Sequence, residues 1–123
     1  MAGALRRVRV YTVPGFRRRY QRFSRGDPKV RSAMRTFNEA KRLIPPAPLP
    51  REMQDHKLHF RLKGFSECHL APDVLLVYTH ENDVVTLLDC CTHAELQGDS
   101  GERRIRAARR IATARARAPK RRH

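Results

Sequence analysis

The chain has 123 residues, enough for one domain around a modest core: hydrophobic residues make up 40%, there is no Trp, and the mean hydropathy is −0.68. Its 27 Lys and Arg against 12 Asp and Glu give a formal charge of +15, which points to a polyanionic partner such as nucleic acid. No stretch approaches the roughly 20 apolar residues of a membrane span, and Met1–Val10, with three arginines and no apolar run, does not read as a signal peptide.

Val8 to Val13 alternates and is rich in β-branched residues, which predicts a first strand, broken by Pro14-Gly15. Phe16, Tyr20 and Phe23 then recur on one face of a short helix whose other face carries Arg17, Arg18, Arg19 and Arg22. Asp27-Pro28 starts a second helix, with a capping side chain followed by Pro at the first helical position. Its apolar face runs from Val30 through Ala33, Met34, Phe37 and Ala40 to Ile44. Pro45-Pro46 stops it, and Pro48 and Pro50 keep the linker extended. The two helices read as an antiparallel hairpin turning at Ser24–Gly26.

Beyond the linker the pattern changes to alternation and short continuous apolar runs. Strands are expected near Lys57–Leu62, Phe65–Leu70, Val74–Thr79 and Val84–Asp89, with short turns between them, hence an antiparallel meander. Thr92 caps a single helical turn to Leu96. Residues 1–98 are therefore expected to form one small α+β domain of order β-α-α-β-β-β-β, the sheet packing one face on the helical hairpin. Residues 99–123 form a basic, Arg/Ala-rich tail, helical or disordered, with a thin apolar stripe at Ile105, Ala108, Ile111 and Ala112.

The charge is unevenly spread. Residues 1–63 hold 17 Lys and Arg against 4 acids, residues 64–98 hold 6 acids and no Lys or Arg, and residues 99–123 hold 10 against 2. Within or beside the acidic segment lie His56, His69, Asp73 and His93, at the ends of apolar runs. Imidazoles beside a carboxylate suit proton transfer near neutral pH, since histidine starts near pKa 6.5. With a basic chain, that suggests metal-free cleavage of RNA through its own 2′-hydroxyl. The basic helix face reads as a solvated surface or as a grip on a polyanion.

Cys68, Cys90, Cys91 and His93 lack the C-x-x-C spacing of a zinc site, so no metal is expected. Three cysteines, two of them adjacent, make no disulfide scaffold, and a reducing cytoplasm is the expected compartment. Phe65 and Tyr78 are the candidates to stack on bases.

The segment Asp55-His56-Lys57-Leu58, Lys63-Gly64-Phe65, Glu67-Cys68-His69, Pro72-Asp73, Leu75-Leu76-Val77-Tyr78 and Thr92-His93 resembles the YafQ-type toxins of the RelE/ParE superfamily, in order and in spacing. The resemblance implies a RelE-like fold and a ribosome-dependent mRNA endoribonuclease, the toxin of a type II toxin–antitoxin pair. Its partners would be mRNA on the ribosome, ribosomal RNA and a cognate antitoxin, with no metal or organic cofactor and no membrane. The catalytic set falls on His56, His69, Asp73 and His93. His56 and His93 are assigned to proton transfer, with base and acid left open between them. His69 orients or contacts the scissile phosphate, and Asp73 fixes a tautomer or shares in proton transfer. Arg61 and Lys63, on a strand beside His69, are candidate phosphate contacts.

The chain departs from the family pattern at several positions. Gln97 replaces a phenylalanine that contacts the message, which makes it a candidate RNA contact, and Asp89 replaces a common arginine. Cys91, Ser66 and Val74 also differ. The alternative is a catalytically weakened protein of this fold that only binds RNA, ribosome or antitoxin.

Overall fold

The computed structural model describes residues 8–117. Strand β1 (Arg9–Thr12) leads into helix α1 (Phe16–Ser24) and helix α2 (Pro28–Lys41). The Asp27 carboxylate accepts from the Lys29 backbone N–H at 2.9 Å, so α2 starts where the Asp-Pro pair predicts. Four more strands follow: β2 (His56–Lys57), β3 (Ser66–Ala71), β4 (Val74–Glu81) and β5 (Val84–Cys91). Helix α3 (His93–Gln97) carries a full capping box between Thr92 and Glu95. Helix α4 (Asp99–Arg117) closes the described chain.

The sheet order is β1-β5-β4-β3-β2. From β2 to β5 the strands form the expected antiparallel meander. β1 joins the far edge in parallel with β5, so the sheet is mixed. The strand expected at Lys57–Leu62 is corrected: β2 ends at Lys57, with one further bond from Leu58 N–H to the Phe65 carbonyl, and Phe60–Leu62 forms a 3-10 turn. The run breaks because Phe60 adopts a left-handed φ of 57°, which no continuous strand accommodates.

The core fills both sides of the sheet, against the helical hairpin on one and against α3 and α4 on the other. Val30 and Phe37 of α2 and Leu75, Leu76, Val77 and Val85 of the sheet are fully buried. The Phe37 ring meets Tyr78 edge-on, with centroids 4.9 Å apart. Successive side chains of a strand point to opposite faces, and Thr79, next to Tyr78, lines a cavity with Arg109 and Ala112 of α4. The sheet is thus covered on both faces, not on one as expected. Ile105 of α4 is completely buried, and Ala108 nearly so.

Asp89, itself 0% exposed, binds this second layer to the first. Its carboxylate accepts from Arg19 of α1 and from Arg104 Nε of α4 at 2.9 Å. All three cysteines are buried and unpaired. Burial pushes the Cys90 thiol up to about 12 and raises Cys68 and Cys91 further, so they pack as small apolar groups rather than nucleophiles. Residues 118–123, the end of the basic tail, lie outside the described residues, as do residues 1–7.

Candidate active site

His56 and Glu67 face each other across the β2–β3 ladder, and His69 lies two residues beyond Glu67 on the same strand face. The His56 Nε2 and His69 Nε2 atoms each lie 3.7 Å from Glu67 Oε2. Glu67 is 5% exposed, so one buried carboxylate sits between two imidazoles. His56 Nδ1 is 2.7 Å from the Gln54 carbonyl, which accepts its proton and leaves Nε2 turned towards Glu67. The ladder shifts register between His69 and Ala71, which re-aims the chain into the Pro72-Asp73 turn.

His93 enters from the other side, at the start of α3. Its ring and that of His69 meet edge-on with centroids 5.1 Å apart. Asp73 Oδ1 accepts both the His93 backbone N–H at 2.9 Å and the ring Nδ1–H at 2.6 Å. That pair of bonds fixes the ring and leaves Nε2 free to exchange a proton. The same two bonds, backbone first, hold the Asp73 carboxyl below its ordinary range. Burial lowers the His69 pKa, opposed by Glu67 and reinforced by His93 and His56.

The four residues expected to be catalytic therefore meet in one place. Lys41, 8% exposed, holds Asp55 at 2.8 Å, and the Tyr78 hydroxyl donates to the same carboxylate. This cluster ties α2 to the residue preceding His56.

Other expectations need correction. Phe65 and Tyr78 are 5% and 3% exposed, so neither can stack on a base. Arg61 is in the 3-10 turn, not on a strand beside His69, where the ladder partner is Leu75. Its guanidinium faces Asp99 at 3.3 Å and Glu102 at 3.9 Å. Arg61 and Gln97 do line a cavity of about 470 Å³ with His93 and Glu67, and Lys63 does not. On the basic helix face, Arg19 and Arg22 are held by Asp89 and Glu95, while Arg17, Arg18 and Arg25 face solvent. Glu67 was missed by the sequence reading, although its two-residue spacing from His69 was a legible sign.

The family model described as a bacterial toxin of the type II toxin–antitoxin system, YafQ, matches residues 8–98. The chain belongs to the YafQ toxin family. A metal-bound toxin from Helicobacter pylori is 30% identical, with a TM-score of 0.56 over 72% of this chain and 98% of that one. E. coli YafQ is 23% identical, with a TM-score of 0.59 over 72% of this chain and 97% of that one. YafQ in the E. coli DinJ–YafQ toxin–antitoxin complex is likewise 23% identical, with a TM-score of 0.59 over 74% and 99%. No curated protein matches the chain. The YafQ-family match ends at Gly98, so α4 lies beyond the matched family segment.

Proposed function

We propose that this YafQ-family chain is a ribosome-dependent mRNA endoribonuclease that arrests translation in the cytoplasm. The observation that carries the reading is the convergence of His56, His69 and His93 around Glu67 and Asp73 on a strongly basic chain. RNA is cut without a metal when a base takes the 2′-hydroxyl proton, the 2′-oxygen attacks the adjacent phosphorus, and an acid protonates the departing 5′-oxygen. His93 and His56 exchange these protons through Nε2, each held by a partner on Nδ1. His69, disfavoured as a cation, donates a hydrogen bond to the scissile phosphate. Arg61 and Gln97, which line the cavity at His93, contact the message.

The Helicobacter pylori relative is a metal-bound toxin. The donors here do not fit a metal: among the described residues no group of three or more His, Cys, Asp or Glu could hold such an ion. A cognate antitoxin is the expected protein partner, as DinJ is for E. coli YafQ.

The test is a message carrying a single 2′-deoxy nucleotide at a mapped cut site, presented on ribosomes with and without a transition-metal chelator that leaves magnesium in place. The reading expects that cut alone to vanish, the remaining cuts to leave 2′,3′-cyclic phosphates, and the chelator to change nothing. Cutting 3′ of the deoxy nucleotide, or loss of all cuts with the chelator, would overturn it.

A second reading, a protein of this fold that binds RNA, ribosome or antitoxin without cutting, is favoured by Asp89. Where an arginine is common, this chain carries a buried carboxylate already committed to two structural ion pairs. It expects ribosome binding without new RNA ends.

A further inference from the structure

All eight Phe and Tyr residues fall among the described residues, and only Phe60 has an exposed side chain. Its ring is 95% exposed. Exposing a phenyl ring gives up burial, and its left-handed φ of 57° adds a backbone cost that a glycine would avoid. Two unfavourable choices at one residue mark a candidate functional position.

The surroundings of Phe60 give that function a direction. Phe60 is among the residues at the edge of the 470 Å³ cavity that His93, Glu67 and Gln97 also line, a volume within the usual range of roughly 300–1,000 Å³ for ligand sites. The turn that presents it is braced. Lys63 N–H bonds the Phe60 carbonyl at 3.1 Å, and Leu62 N–H bonds the His59 carbonyl at 3.2 Å. The Arg106 guanidinium of α4 donates to the Arg61 carbonyl, and Asp99 and Glu102 hold the Arg61 side chain. Every one of those α4 residues lies beyond the segment matched by the family. A braced turn leaves the backbone of Phe60 little freedom to lose on binding, which favours contact with a flexible ligand.

We propose that Phe60 is a stacking platform for one unpaired base of the RNA strand at the His93 site, held in place by α4. The assignment rests on the nuclease reading for the identity of the strand. An aromatic face suits any base, because every base has a π-face, and Gln97 offers an amide to the edge of the same nucleotide. Loss of one stacked base typically weakens binding roughly 10- to 100-fold.

The experiment is equilibrium binding of a fluorescent single-stranded RNA oligonucleotide at elevated salt, in a His93→Gln background so that nothing is cut. The parent is compared with Phe60→Gly, Phe60→Ala and Phe60→Trp, and each is repeated with oligonucleotides made abasic at one position at a time. The proposal expects the Gly and Ala variants to bind roughly 10- to 100-fold more weakly and the Trp variant to bind like the parent. One abasic position should reproduce the loss in the parent and add nothing to Phe60→Gly. Phe60→Gly relieves the backbone, so its melting temperature should equal or exceed the parent's while RNA binding falls. A merely structural role would not separate the two.

Equal RNA binding by Phe60→Ala overturns the proposal, and weakened antitoxin binding in that variant would then assign the ring to a protein contact. Absence of RNA binding by the parent also overturns it. Cleavage is scored separately with His93 restored: a chain that never cuts yet shows the Phe60-dependent abasic effect refutes the nuclease reading and keeps the platform.

Discussion

Asp73 takes two hydrogen bonds from a single residue, His93, and this is the tightest constraint on any candidate catalytic group. Asp73→Asn keeps the size and removes the charge that favours one tautomer. We expect kcat to fall by about 10²-fold, at the low end for a proton-transfer group, with KM little changed. Single-turnover cleavage of a ribosome-bound message checks this, and an equal rise in KM would contradict it. His69 gives a pH prediction. Burial holds its pKa below the ordinary value near 6.5, so above that pH it is neutral whether folded or unfolded. As pH falls below about 6.5, the unfolded chain takes the proton first and stability declines until the folded pKa is passed. Urea midpoints against pH should therefore slope less steeply in His69→Asn across that window, and an unaltered slope would remove the argument. At this scale the four expected catalytic residues could be found in the sequence because each sits in a spaced motif. Phe60 could not be, because exposure and a left-handed φ depend on where a strand stops.

The same contrast holds for whole elements. Capping at Asp27 and Thr92 and the change of period after the prolines were local signals, and both helix starts and three of the four meander strands follow them. The parallel pairing of β1 with β5 was not legible, because it joins segments more than 70 residues apart. Nor was the packing of α4, whose thin stripe gains its value only against a sheet face left uncovered by the hairpin. Gly101 sets the approach of α4 to α3. A Cβ there would run into the Glu95 carbonyl oxygen and stand 2.8 Å from that of Leu96. Gly101→Ala should destabilise the fold by about 1–3 kcal/mol, as overpacking does. Ile105→Ala empties a fully buried site and should cost about 3 kcal/mol. Denaturant unfolding measures both, and a value near zero for Ile105→Ala would place α4 outside the cooperative unit. Asp89→Ala should cost a similar amount, about 3 kcal/mol, because it leaves Arg19 and Arg104 without their shared carboxylate.

For the whole molecule, the arginines serve two purposes that composition alone does not separate. Arg19, Arg22, Arg104, Arg106 and Arg109 are engaged by acids within the chain. Arg17, Arg18 and Arg25 remain on the surface, where the proposed nuclease function would use them to attract a polyanion. Half a dozen phosphate contacts on single-stranded RNA give a slope of about −4 in log K against log salt. Charge removal at Arg17 and Arg18 should flatten that slope by about 1.4 units without altering cut positions, as a salt titration of binding would measure. The central claim is that the histidine cluster cuts mRNA on the ribosome. Its most direct measurement maps the 5′ ends of a reporter mRNA in a translating extract, with the parent chain and with His93→Gln. New ends that require ribosomes are expected, formed about 10²- to 10⁴-fold more slowly by His93→Gln. Ribosome binding by the parent without new ends, or equal cutting by both proteins, would contradict it.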